Sequence, residues 1–503
     1  MKGRLLLSPL VLSAAVILVC AGELAIGTNL YFVCMVGIAL ASAGLTYNML
    51  GGLGRIAGIG FTSFALQTLV IGQIAKVVLL ERADQNLLAP QLTITVYAVF
   101  FLSLMLGTFT FGRLRLPLPR PVEPATQAQG RLLYILSVVG GLFGAITMAA
   151  LDLQGREEVA GTPIHGLARA LAYLLPLSIV IAVDDRIRST NGRHCFGWRV
   201  GLPTAAYVGL SFASTGRGEF AQPFVIIFLT AFLRGFRFER KHKLAGAAVA
   251  CFLFLFVSPF YAWARGWRDQ PTVRQQLSSA WRLLEQAPSQ WSTITYNLGS
   301  GDVVTTGSGD AVYFPLVGAV TLNRIVLIAK DSTLINACAS GFHYGFTAIK
   351  LDVGQQVPRF LYPNKPLIGS SEYLGHLDGQ ESDEQETHFS TITSIADSYG
   401  AFGWLGVVAV PLFLLPAVFV VYESMFDVTR PWGTAATVGL MAIGPVGSII
   451  ADTLIKEPTY LLLIAASAAA IFKFVPSAGD RSVPVQRLAG NVVAGAGVSG
   501  SIQ

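Results

Sequence analysis

The sequence predicts an all-α, polytopic integral membrane protein with about twelve transmembrane helices and one large extracytoplasmic loop carrying amphipathic helices. Three observations predict it. The chain of 503 residues is 53% hydrophobic and 13% charged, where a soluble chain carries about 25% charged residues. Its longer apolar runs reach about 17–25 residues, enough to cross a hydrocarbon core of about 30 Å. They are continuously apolar rather than alternating, which disfavours a β-barrel. Finally, the strongly basic short loops all fall on one side when the spans alternate, as the Lys/Arg orientation rule requires.

The N-terminus, MKGRLLLSPLVLSAAVILVCAG, has a basic start and an apolar run without a clear small-x-small cleavage pattern, so it reads as an uncleaved first span. The expected spans begin with Leu5 to Ile26, Leu30 to Leu50, Ile56 to Leu80 and Thr93 to Phe111. Lys76, near the outer end of the third, is expected to snorkel to the interface. The basic, Pro-rich GRLRLPLPRPVEPATQAQGR is a cytoplasmic linker. Spans five and six cover Leu132 to Leu151 and Leu167 to Val183. Seven and eight, Val200 to Phe212 and Ala221 to Leu233, are short and enclose STGRGEF as an outer loop. RGFRFERKHK, the most basic loop, precedes span nine, Leu244 to Trp263. Spans ten to twelve are Ala401 to Tyr422, Ala435 to Ile450 and Tyr460 to Phe474. The chain thus divides into nine spans over 1–263, an extracytoplasmic region over 264–399, three spans over 400–475 and a disordered cytoplasmic tail over 476–503. Both termini are cytoplasmic.

The net charge of +6 reads as orientation signal in cytoplasmic loops rather than as a nucleic-acid surface. The five cysteines share no plausible oxidising compartment, and neither a disulfide nor a metal set is expected. Within the long loop, RDQPTVRQQLSSAWRLLEQAPSQW places Leu277, Trp281 and Leu284 at helical spacing, as in a helix lying on the membrane surface. LNRIVLIAKDSTLIN repeats the pattern with Ile325, Ile328 and Leu334.

No phosphate loop, HExxH or GxSxG occurs, and the acidic run DGQESDEQE has the composition of a solvated loop. Ionisable residues crowd the outer face instead. Arg217 lies in STGRGEF, Arg265 and Arg268 in YAWARGWRD, and Arg359 and Lys365 in VPRFLYPNKP. Arginines on a non-cytoplasmic face run against the orientation bias, and their planar donor fork suits phosphate or carboxylate oxygens. His388, shortly before Asp397, has the side chain a general base needs to take a proton from a sugar hydroxyl. His343 sits in an aromatic setting that suggests packing, and His376 in a mobile stretch.

The order STGRGEF, an arginine-bearing exit from the next span, FHYGF, VPRFLYPNKP and THFSTITSIADSYGAFGWLG resembles the Wzy-type O-antigen and exopolysaccharide repeat-unit polymerases over roughly Gly201 to Tyr422. Asp397 stands where such polymerases commonly carry Glu. The resemblance implies a membrane-embedded glycosyltransferase of the C type in a bacterial inner membrane, needing no metal and no cofactor. Its substrate would be undecaprenyl-diphosphate-linked oligosaccharide at the outer leaflet, with a chain-length regulator and a flippase as partners and no nucleic acid. His388 and Asp397 would be catalytic, and Arg217, Arg265, Arg268, Arg359 and Lys365 would hold the diphosphate. An O-antigen ligase shares these features and differs in its acceptor. A secondary transporter would instead place its ionisable residues near the midplane.

Overall fold

A computed structural model describes residues 6–112, 114–118, 127–152, 174–214, 217–257, 326–356, 392–428 and 432–437, with single positions between them that include 168, 171, 172, 282, 285, 286, 289, 313, 314, 323, 373, 374, 430 and 450. Among the described residues the chain is helical, with no strand. Six helices among those residues are long and apolar enough to cross a membrane. The expected spans eleven and twelve fall largely or wholly outside the described residues, as do the tail and the helix expected around Leu277, Trp281 and Leu284.

Helix α1 (Pro9–Ile26) starts where Ser8 caps Val11 N and Pro9 presets the first turn, and it stops at Gly27 in the left-handed region. Asn29 caps α2 (Leu30–Met49). Helix α3 (Ile56–Leu79) widens into a π-turn at Leu66–Val70. It is followed by α4 (Pro90–Phe111) and α5 (Gln127–Asp152). Helices α2 and α4 pack along their length. Between α3 and α4, Phe61, Phe64, Phe100 and Phe101 form a fully buried aromatic cluster with ring centroids 5.7–6.5 Å apart.

A second core joins α6 (Leu174–Ser189), α7 (Trp198–Ser214) and α8 (Arg217–Leu233). Both α7 and α8 run longer than hydropathy suggests, because each extends through polar residues at its end. Of STGRGEF, expected as an outer loop, Ser214 ends α7 and Arg217 to Phe220 belong to α8, which Arg217 opens. Arg234, in the basic connection after α8, reaches Asp184 of α6 at 2.6 Å, and Arg188 holds the other carboxylate oxygen at 3.1 Å. Helix α9 (Arg240–Phe252) follows, opened by a Glu239–His242 capping box.

Two helices from the long polar region are described, α10 (Ile328–Cys338) and α11 (Thr347–Gln356). Helix α10 does not lie on a surface. Ile328, Ala329, Asp331, Ser332, Thr333, Leu334, Ile335 and Cys338 are all buried as it packs against α4 and α12 (Ser394–Met425). Its buried polar side chains, Asp331, Ser332 and Thr333, meet bonding partners, while Asn336 is exposed.

Hydrogen bonds sort the connections between the two ends of the bundle. At one end Leu7 pairs with Asn48, Glu423 accepts from Ala57 N at 3.1 Å and from Arg115 at 3.4 Å, and Leu116 N meets Ser424. At the other, Tyr313, Asp331 and Ser332 of the long polar region meet the ends of α3 and α4. Lys76 lies at this second end. It does not snorkel: fully buried, it pairs with Glu81 at 2.9 Å, donates to Tyr313 O at 2.6 Å and lies over the Tyr313 and Phe314 rings. The polar region covers it, a contact 237 residues away in sequence.

Candidate functional site

Helix α12 is not continuous. Gly403 takes φ 60° and ψ −145°, a conformation essentially restricted to glycine. The chain doubles back there so sharply that a Cβ on Gly406 would lie 2.0 Å from Ser398 O. Residues 394–402 therefore form a short helix at the end of the bundle facing the polar region. Residues 404–425 make the span itself, about 33 Å at 1.5 Å per residue.

The break releases backbone carbonyls that an unbroken helix would bond four residues on. The FHYGF segment fills them: Tyr344 N donates to Gly400 O at 3.2 Å and Gly345 N to Ala401 O at 3.0 Å. Side chains fix the same contact. The Tyr344 hydroxyl donates to an Asp397 carboxylate oxygen and lies 3.1 Å from Asp397 O. Ile450 N donates to the other carboxylate oxygen. Asp397 is thus buried and bonded on both oxygens, an arrangement that suits orientation of neighbours better than taking a substrate's proton. Burial, and then the Asp397 charge, hold the Tyr344 phenol well above the usual tyrosine range.

His343 lies at the turn itself. A Cβ on Gly403 would come 2.8 Å from its Nε2, and its ring meets Tyr399 edge-on at 5.7 Å. The imidazole is nonetheless exposed. Near it stand Phe342, Phe346 and Trp404, each exposed over roughly half its surface, with Phe346 against Phe402 and Trp404 against Tyr399. Such a group of aromatics fits the boundary between hydrocarbon and headgroups.

Below the short helix lies a second carboxylate. Asp331 of α10 is fully buried and accepts from the Tyr97 hydroxyl at 2.5 Å, the Thr393 hydroxyl at 2.5 Å and Thr393 N at 3.0 Å. Thr393 also caps the short helix, accepting from Ile395 N at 3.2 Å, so the carboxylate sits at a helix N-terminus. Burial nonetheless wins over these three donors and raises Asp331 to about 6. Ser332 extends the clamp to Thr93 at 3.1 Å and to Ala89 N at 3.3 Å. Cys338, on the same helix, is pushed up to about 11 by burial and stays a thiol at neutral pH, which removes it as a nucleophile.

Of the residues singled out from sequence, Asp397 is placed within this assembly, and Arg217 is placed as the first residue of α8. Arg265, Arg268, Arg359, Lys365 and His388 lie outside the described residues. Among the described residues no group of three or more His, Cys, Asp or Glu is set to hold a metal ion. Sequence reasoning missed the roles of His343, Tyr344, Asp331 and Tyr97. The first two were visible in FHYGF, where a glycine follows a His-Tyr pair. Asp331 was visible as a lone carboxylate inside an apolar run, which in a membrane protein signals a partner. No family model, curated protein or solved structure matches this chain.

Proposed function

We propose that this protein polymerises undecaprenyl-diphosphate-linked oligosaccharide repeat units into surface polysaccharide at the outer leaflet of a bacterial inner membrane. The observation that carries the reading is the contact between FHYGF and the short helix of SIADSYGAFGWLG. Two segments about 50 residues apart, both part of the resemblance to repeat-unit polymerases, meet at a glycine-only break at the head of a span. In this reading twelve spans put both termini in the cytoplasm and the polar region outside.

In the reaction, an acceptor sugar hydroxyl attacks the anomeric carbon of the donor glycan. The bond from that carbon to the diphosphate oxygen breaks, and undecaprenyl diphosphate leaves with the electron pair. The acceptor's proton passes to His388. Arg217, Arg265, Arg268, Arg359 and Lys365 stabilise the charge growing on the diphosphate, the task a divalent metal performs elsewhere. Asp397 acts as a positioning residue: through Tyr344 it fixes the FHYGF segment, and with it the exposed His343, against the head of the span. A chain-length regulator and a flippase would act beside such an enzyme. Discontinuous helices also occur in transporters, but there the break lies near the midplane. Here a full span follows it.

Deleting the gene tests the reading. The polymerase predicts surface glycan reduced to a single repeat unit on its acceptor. Full-length polymer that stays on its lipid carrier would point instead to a ligase, and unchanged glycan would overturn both.

A further inference from the structure

The end of the bundle opposite the polar region carries a basic surface that the proposed reaction does not use. Two connections build it, from α6 to α7 and from α8 to α9. A Cβ on Gly141 would lie 2.7 Å from Leu175 N and one on Gly144 2.5 Å from Ala168 O, so α6 runs antiparallel to α5 and ends beside its start. The Tyr134 hydroxyl of α5 donates to Arg199 O at 2.8 Å. Leu53, just before α3, and Val428, just past α12, pack on the same core as Ile187 and Phe236. That shared core and the Arg234–Asp184 pair hold the two connections side by side.

Their charges do not balance. Asp184, Asp185 and Glu239 are the acids of 184–199 and 234–243, and each is already paired. Asp184 holds Arg188 and Arg234, Asp185 holds Arg199 at 3.3 Å, and Glu239 holds Lys241 at 2.9 Å. Arg186, Arg193, Arg237, Arg240 and Lys243 are exposed and make no ion pair among the described residues. Arg186 Nε donates only to a neutral carbonyl, Phe196 O, at 3.3 Å. Apolar groups stand beside these cations. Trp198 is 73% exposed, with the Arg199 guanidinium 5.5 Å from its ring, and Phe196 is 56% exposed. Leu244, next after Lys243, is 70% exposed, and α9 beyond it is apolar with no buried residue.

Orienting the chain requires only that such connections be basic. It does not require exposed aromatics among the arginines or an open apolar helix leading away from them. A nucleic acid or an acidic soluble protein would pair with the cations and leave Trp198, Phe196 and Leu244 unmatched. A phospholipid matches both. Its phosphate oxygens accept from guanidinium and ammonium groups, and its chains cover apolar side chains at the depth where Trp is favoured. We propose that the two connections form a binding surface for phospholipids with anionic headgroups, selecting them over zwitterionic ones, as basic clusters at the ends of membrane helices can. The surface is independent of the glycan-transfer reading.

The test reconstitutes purified full-length protein in phosphatidylcholine bilayers with a trace of spin-labelled phosphatidylglycerol or, in a parallel sample, spin-labelled phosphatidylcholine. Electron spin resonance reads the fraction of each probe that the protein immobilises. The expected result is a several-fold preference for phosphatidylglycerol that weakens as salt is raised, since salt screens exposed charges. Arg237→Gln, Arg240→Gln and Lys243→Gln combined should bring the two probes close to parity at unchanged Tm. Arg186→Gln with Arg193→Gln removes charge from the other connection, should also lower the preference, and decides the matter if the first variant does not fold. Equal immobilisation of both probes by the wild type overturns the surface, as does a preference that survives undiminished in a folded variant. An RNA oligonucleotide that sediments with wild-type proteoliposomes showing no lipid preference would overturn it too, and would assign the cations to nucleic acid.

Discussion

Asp331 shows at the scale of one residue how this fold handles polarity within an apolar bundle. Three donors from two other parts of the chain surround its carboxylate, and burial still lifts it to about 6. An unfolded aspartate titrates at about 3.9, so the folded state binds the proton more tightly. Its contribution to stability is therefore greatest below about pH 4, declines as pH rises from 4 to 6, and is flat above that. The loss is on the order of 3 kcal/mol for two units. Apparent Tm in detergent should rise as the pH falls from 7 to 5, and the rise should shrink in Asp331→Asn, which cannot titrate. A variant that keeps the full pH response would assign the effect to other groups. Residue-scale legibility in the sequence was uneven. Asp397 could be marked from its place before a span, but its burial against Tyr344 and Ile450 could not. Lys76 looked like an interfacial lysine because its cover, Tyr313 and Phe314, lies far along the chain.

At the scale of elements, Gly403 decides where a span begins. Its φ of 60° with ψ of −145° separates the short helix from the membrane helix and opens the carbonyls that FHYGF occupies. Gly403→Val should cost about 1–3 kcal/mol in backbone strain, with a further steric clash against His343. We expect a lower Tm and faster amide exchange at Tyr344 and Gly345, read by hydrogen exchange and mass spectrometry. Unchanged exchange there would separate the break from the docking of FHYGF. Hydropathy found this span, with its expected start at Ala401 close to the residue after the break, because apolar length is a strong signal. It failed on α10, whose spacing suited a surface helix. Periodicity reports that one face is apolar and does not report whether the other meets water or partners such as Tyr97 and Thr393.

Across the whole molecule, the helical membrane class was legible from composition alone, because a chain with so few charges has no soluble solution. The gathering of Tyr313, Asp331 and Ser332 at one end was not, since it depends on pairings across more than 200 residues. If that end faces outward, a cysteine placed by Gly379→Cys should react with an impermeant maleimide in intact spheroplasts. Reaction only after lysis would invert the topology. The central claim, transfer of a lipid-linked glycan, is tested most directly by incubating purified protein with undecaprenyl-diphosphate-linked repeat units and resolving the products by gel and mass spectrometry. The account predicts a ladder of two, three and more repeats on one lipid with release of undecaprenyl diphosphate. It also predicts loss of the ladder in His388→Ala at equal protein level, because a positioned base contributes roughly 10²–10⁴-fold. Repeat units left at a single length by folded wild-type protein would contradict it.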